Sequence, residues 1–162
     1  MKLIKKLEIQ SKENIINFLN NQAVGRFATI DINGFPQIIP MNFVYVQAEK
    51  IDDSNILKQD AIYMHSYRFG EKIDNIKRNS NTGFEVDQHL AFLPSYYFHP
   101  SDASQADTLY KSVVIKGQSH IIEDKEEKTL ALNSLMEKYQ PEGNYEPSGV
   151  AGGDAGVCRG GQ

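Results

Sequence analysis

Val24-Gly25-Arg26-Phe27-Ala28-Thr29-Ile30, Asp31-Ile32-Asn33-Gly34 and Phe35-Pro36-Gln37-Ile38-Ile39-Pro40-Met41-Asn42-Phe43-Val44-Tyr45-Val46 follow one another without a break and together spell a β-hairpin. The first segment is rich in strand formers. Asn33-Gly34 accepts the positive φ angles that a tight hairpin turn requires, and the third segment returns as a second strand. Pro36 and Pro40 have no amide hydrogen to donate, so the returning strand belongs at a sheet edge or carries an irregularity. An irregular edge leaves backbone groups free to meet a ligand.

Outward from this hairpin, Ser11 is suited to cap a helix, and Ile15, Ile16, Phe18 and Leu19 share one face of it, which predicts a helix over 12–21. Downstream, 47–60 is polar and reads as an exposed excursion. Ala61 to His65 is a short strand, 70–79 is helical with Ile73 and Ile76 as its apolar stripe, and Thr82 to Val86 is another strand. His89 to Thr108 reads as a long irregular loop carrying Tyr96-Tyr97-Phe98. Tyr110 to Ile122 is a long strand, followed by a helix over 125–139 that Pro141 stops. The last stretch, Gly143 to Gln162, holds seven of the twelve glycines and little apolar bulk. The expected organisation is a single domain over 1–141 and a flexible Gly-rich tail over 142–162. Several strands with turn signals and a few helices predict a mainly β protein, an antiparallel barrel with flanking helices.

The 162 residues suffice for one real core, and 40% hydrophobic with 23% charged residues is ordinary for a soluble globular protein. No apolar run approaches the roughly 20 residues a membrane helix needs. Lys2, Lys5 and Lys6 flank no signal-peptide core, so a cytoplasmic location without a membrane partner is expected. A net charge of -4 argues against nucleic acid as the main partner, while leaving room for one basic pocket for a single phosphate. Cys158 is the single cysteine, which excludes an internal disulfide.

Three groups of residues are candidates for chemistry. His65-Ser66 at a strand end, with Lys72 early in the next helix and Gly70 between them, assembles an imidazole, a hydroxyl, an ammonium and free helix amides, a set that holds phosphate. A partly exposed histidine and a solvated lysine would look the same in sequence. Pro40-Met41-Asn42-Phe43 offers a proline-disturbed backbone to a flat heterocycle, although taken alone these residues read better as a plain edge strand with a core Phe43. Tyr110-Lys111-Ser112 opens a strand after the long loop, where polar residues often line a barrel site. His65, His89, His99 and His120 are scattered, so no metal site is expected, although Asp87 and His89 can share a face. Ser112 has no partners marking a hydrolase triad.

In order along the chain, Val24-Gly25-Arg26-Phe27-Ala28-Thr29, Asn33-Gly34-Phe35-Pro36 and Ile39-Pro40-Met41-Asn42-Phe43-Val44-Tyr45 resemble the opening hairpin of the pyridoxamine 5′-phosphate oxidase-related family, most closely its nitroimidazole-resistance branch. Ile62-Tyr63-Met64-His65-Ser66 with Gly70-Glu71-Lys72-Ile73-Asp74-Asn75-Ile76 resembles its phosphate-side segment. Phe84-Glu85-Val86-Asp87, Tyr110-Lys111-Ser112-Val113-Val114-Ile115-Lys116-Gly117-Gln118 and Leu135-Met136-Glu137-Lys138-Tyr139 resemble its later strands and helix. Each piece is short, but the ordered series is specific. The resemblance implies a split β-barrel that dimerises, with flavin mononucleotide (FMN) in each of two grooves between subunits. On that pattern His65, Ser66 and Lys72 lie at the phosphate, Pro40 to Phe43 line the isoalloxazine ring, and Tyr110 to Ser112 approach from the same chain or its partner. The family chain usually continues past the helix into a further strand, whereas Val150 to Gln162 shows no strand pattern.

The function implied is that of a flavoprotein oxidoreductase reducing a nitroaromatic or similar small acceptor, with no catalytic side chain assigned. Two alternatives share the fold. One is a haem-binding or haem-degrading protein, with His89, His99, His120 or His65 as axial ligand. The other is a non-catalytic flavin-binding stress protein. No arginine cluster for a substrate phosphate is present: Arg26, Arg68 and Arg78 are dispersed, and Arg159 lies in the tail.

Overall fold

The computed structural model describes residues 7–48, 59–146 and 155–160. Ser11 caps α1 (Lys12–Asn21), its hydroxyl accepting the Asn14 amide at 3.3 Å, and Phe18 and Leu19 turn into the core. Strand β1 (Gly25–Ile30) turns back as β2 (Pro36–Met41). The turn uses Gly34 at φ 85°, and the Asp31 carboxylate accepts the amides of Asn33 and Phe35, each at 2.8 Å. After Asn42 come β3 (Phe43–Val46), β4 (Ala61–Tyr67), α2 (Glu71–Arg78), β5 (Asn81–Leu93), β6 (Asp107–Ile121), α3 (Lys125–Tyr139) and β7 (Ala155–Gly160).

The sheet order is β2-β1-β5-β6-β7-β4-β3, and every pairing is antiparallel. Its two edges, β2 and β3, are consecutive in the chain with Asn42 alone between them. One bent strand therefore supplies both edges. The ladder is open between β2 and β3 among the described residues, and covalent continuity through Asn42 brings the two ends together instead. Strand β6 makes the second corner: Asp107 to Gln118 pair with β5, while Ser119 to Ile121 pair with β7. At that switch Ser119 donates its amide to Ser80 at 2.8 Å and shares a hydroxyl bond with Thr82 at 2.8 Å.

Folding over at these corners puts Phe27, Met41, Phe43, Ile62, Met64, Phe84 and Val86 from both halves of the sheet into one core, closed by Phe18 and Leu19 of α1 and Ile73 and Ile76 of α2. A second cluster joins Val44, Ala61 and Tyr63 to Ala131 and Leu135 of α3. Alternate residues of β3 and β4 thus feed different cores, as the period-2 geometry of a strand requires.

Three expectations are corrected. The stretch read as one strand from Phe35 to Val46 is two, because the chain changes sheet partner at Asn42. The loop read over 89–108 shrinks to 94–106, since β5 and β6 extend as a ribbon with a bulge between His89 and Ala91. The ribbon is largely exposed and so lacks the alternation of apolar residues that betrays a strand. The tail does carry a strand: Ala155–Gly160 pairs with β4 on one side and β6 on the other. Its ladder is made by backbone groups, which glycine supplies as well as any residue, so composition did not reveal it. The rest of the stretch read as Val150 to Gln162 lies outside the described residues.

Candidate functional site

Strand β4 delivers His65 and Ser66 at its end, and Arg68-Phe69-Gly70 carries the chain into α2. Gly70 takes φ 115°, a conformation costly for any residue with a Cβ, and no side chain caps the helix start. His65 is exposed. Ser66 alternates with it onto the face of Met64, and its hydroxyl donates to the Tyr67 carbonyl at 3.0 Å. Lys72, in the first turn of α2, reaches across to β2, where its Nζ stands 3.4 Å from Met41 Sδ. Two segments separated in sequence, the one suited to a phosphate and the one suited to a flat ring, therefore meet at Lys72 and Met41.

The position of α2 is fixed by a buried polar cluster. Asn75, 1% exposed, donates to Thr29 Oγ1 at 3.1 Å and Gln37 Oε1 at 3.2 Å, and accepts from Arg78 at 2.7 Å. Arg78 also donates to the Ile30 carbonyl at 2.9 Å, and Gln37 bonds Glu71. These bonds tie the helix to β1 and β2, so Lys72 is aimed by a scaffold rather than by a loop.

Within the second candidate segment the four residues diverge. Pro40 is exposed on the face of β2 that also bears Ile38, whereas Met41 points to the core. Asn42 sits at the bend, its side-chain amide donating to the Ala23 carbonyl at 3.2 Å. Phe43 is 0% exposed, edge-on to Phe84 with ring centroids 4.9 Å apart. Its N–H and C=O are both engaged by the Tyr139 hydroxyl, at 2.8 and 2.9 Å.

Tyr110, Lys111 and Ser112 are exposed on β6 and split between its two faces. Cross-strand register places Ser112 beside Asp87 and Tyr110 beside His89, and places Pro40 beside Arg26 beside Glu85, all on one face. Arg26 binds Glu85 at 2.9 Å and also Asp87, and the two carboxylates raise its already high pKa. Lys111 lies opposite, lining a cleft of about 620 Å³ with Asn14, Asn17, Phe18 and Gln88. Because β1 and β5 intervene, the Tyr110–Ser112 segment is roughly 14 Å from Pro40 within one chain, three strand spacings. The structure brings Lys72 to Met41 and does not bring Tyr110 to Ser112 to them.

Sequence reasoning missed Tyr139, Lys138, Asn75 and Arg26 as residues that hold this region. A second groove, about 720 Å³, runs between α1, β3 and α3 and contains Lys138. Burial pushes the Lys138 ammonium down to about 8. On its rim Tyr45 donates to Asp60 at 2.5 Å, a bond that holds the Asp60 carboxyl below its ordinary range. For Lys138 a signal was its place in the last turn of α3, where the partial negative charge of the helix end favours a cation.

An antiparallel sheet whose edges are one bent strand, with helices on its flanks, defines the split-barrel class. Residues 11–152 match the family described as pyridoxamine 5′-phosphate oxidase, and the chain belongs to that family. Among solved structures it is similar to a candidate 5-nitroimidazole antibiotic resistance protein from Bacteroides thetaiotaomicron, at 25% identity and TM-score 0.70, covering 94% of this chain and 80% of that one. An FAD-binding protein from Mesorhizobium loti is similar in fold, with 21% identity, TM-score 0.57 and coverage of 93% and 88%. So is the haem storage protein HutZ from Vibrio cholerae, with 15% identity, TM-score 0.60 and coverage of 93% and 88%. No curated protein matches the sequence. Among the described residues no helix is long and apolar enough to cross a membrane.

Proposed function

We propose that the chain binds flavin mononucleotide and acts as an oxidoreductase on a small acceptor, reducing a nitroaromatic or a molecule like it. The observation that carries this reading is the approach of Lys72 to Met41. It puts a cation and an uncapped helix start beside the bent edge strand, the combination needed at the two ends of a flavin nucleotide. In this reading Lys72, with His65 and Ser66, holds the phosphate, and Pro40 to Asn42 border the ring. Phe43 supports them from the core. When bound, the flavin supplies hydride and electron transfer; the protein supplies orientation and exclusion of water.

The same reading takes the protein as a cytoplasmic homodimer. Ile38 (61% exposed), Val114 (54%) and Tyr110 (65%) leave apolar surface on the sheet face around Arg26, and a second copy would cover it. It would also carry the partner's Tyr110–Ser112 segment toward the cofactor.

Visible absorbance of the purified protein, before and after adding FMN and then haem, tests the reading. A flavin spectrum that stays with the protein through desalting is expected. A Soret band without retained flavin overturns the reading in favour of haem. Retention of neither removes both cofactors. Retained flavin with no turnover of any nitroaromatic or quinone acceptor leaves the non-catalytic flavin-binding module.

A further inference from the structure

We propose that the last turn of α3 is a clamp on the β2–β3 bend, with Tyr139 as a positioning residue for the flavin ring and Lys138 making its grip respond to pH. The inference rests on the flavin reading and adds a control element to that site.

The bend is the weak point of the sheet. Phe43 lies on an edge strand, so its N–H and C=O on the open side have no ladder partner. The Tyr139 hydroxyl meets both: it accepts the Phe43 N–H at 2.8 Å, and its single hydrogen is shared between the Phe43 carbonyl at 2.9 Å and the Ala23 carbonyl at 2.6 Å. Ala23 also accepts Asn42 Nδ2 at 3.2 Å. One hydroxyl thus joins α3, the α1–β1 link and the bend.

Lys138 completes the grip. Its Nζ donates to the Leu19 carbonyl near the end of α1 at 3.2 Å and stands 3.8 Å from the centroid of the Phe43 ring. Phe43 is followed backwards along the chain by Asn42 and Met41, and Met41 touches Lys72. The grip of α3 is therefore passed through two residues to the point where both ends of the proposed flavin site meet. The titratable and charged groups around Lys138 are Glu137 and Tyr139 on α3 and Tyr45 on β3, the last committed to Asp60. On α1 it meets Ile16, Asn20 and the Leu19 carbonyl, none of them charged. With an ammonium pushed down to about 8 by burial, the cation on the Phe43 ring is present at neutral pH and fades above it.

The test compares wild type, Tyr139→Phe, Lys138→Met and Lys138→Arg, each saturated with FMN, by visible spectrum and reduction potential, with FMN titrations from pH 6.5 to 9.5. Loss of the hydroxyl in Tyr139→Phe should shift the flavin bands and potential at full occupancy and weaken binding about tenfold, the scale of one engaged hydrogen bond. Wild type should lose affinity across pH 8. Lys138→Met should be weakened at every pH without that step, and Lys138→Arg, which keeps its charge, should stay near the neutral-pH wild-type affinity throughout. A purely structural role would lower the melting temperature and leave spectrum, potential and pH profile unmoved. That outcome, with flavin still bound, overturns the clamp alone. A wild type that retains no flavin overturns the flavin reading and the clamp with it. If Tyr139→Phe does not fold, the two Lys138 variants decide.

Discussion

The ammonium of Lys72, on α2, stands 3.4 Å from the thioether of Met41, on β2, although 30 residues separate them. An anion arriving beside this ammonium would gain a charge-assisted hydrogen bond that a thioether sulfur, a weak acceptor, does not supply. Lys72→Ala should weaken FMN binding by about 1–3 kcal/mol, the scale of a charge-assisted hydrogen bond, as read by calorimetric titration. The melting temperature of the flavin-free protein should hardly move. An unchanged Kd removes Lys72 from the site.

Asn75 is the buried link between α2 and the hairpin. Asn75→Leu fills much the same space but strands Thr29, Gln37 and Arg78 without the carboxamide they share. A loss of about 2–3 kcal/mol is expected in chemical denaturation. A loss under about 0.5 kcal/mol would mean that water replaces the amide.

Gly25 lies against the core. A Cβ built there would overlap the Phe84 ring, which packs edge-on to Phe43. Gly25→Ala must displace that ring, and a destabilisation of about 1–3 kcal/mol should follow from overpacking. Unaltered thermal unfolding would show that Phe84 yields without strain.

Strand β7 lies inside the sheet between β4 and β6. Ending the chain at Glu146 would leave two facing edges unpaired in the middle of the sheet. Loss of the cooperative thermal transition and aggregation on size-exclusion chromatography are expected. A truncated chain that unfolds like the full one would show that β7 contributes nothing to stability.

Burial lowers the folded-state pKa of Lys138 to about 8, below the ordinary 10.5. Between these values the unfolded chain holds a proton that the folded chain has released, so stability attributable to Lys138 rises with pH across that window. Below pH 8 burying the charge costs the flavin-free fold stability, even as the cation sits on the Phe43 ring. The melting temperature of wild type relative to Lys138→Met should therefore climb from pH 8 toward pH 10. A constant difference would show that Lys138 titrates normally.

Much of the local structure was legible from neighbouring residues. Ser11, Asn33-Gly34 and Pro141 mark a helix start, a hairpin turn and a helix stop because capping and turn formation are satisfied within a few residues. The prolines of β2 correctly placed it at an edge, since a missing donor is tolerated there. The ordered motifs of the hairpin, of β4 with α2, and of the late strand and helix pointed to the family, and residues 11–152 match it.

Legible in adjacent residues, then, were the three helices, the opening hairpin, the antiparallel class and the family, because periodicity, turn chemistry and motif order are local. Which distant groups meet was settled by the folding of the sheet. Asn42 bends one strand into both sheet edges; a glycine-rich segment with no side-chain signal becomes a central strand through its backbone; Tyr139 finds the open groups of Phe43. These pairings depend on backbone hydrogen bonds and on the folding of the sheet over its core, which any side-chain pattern of this polarity would permit and none spells out.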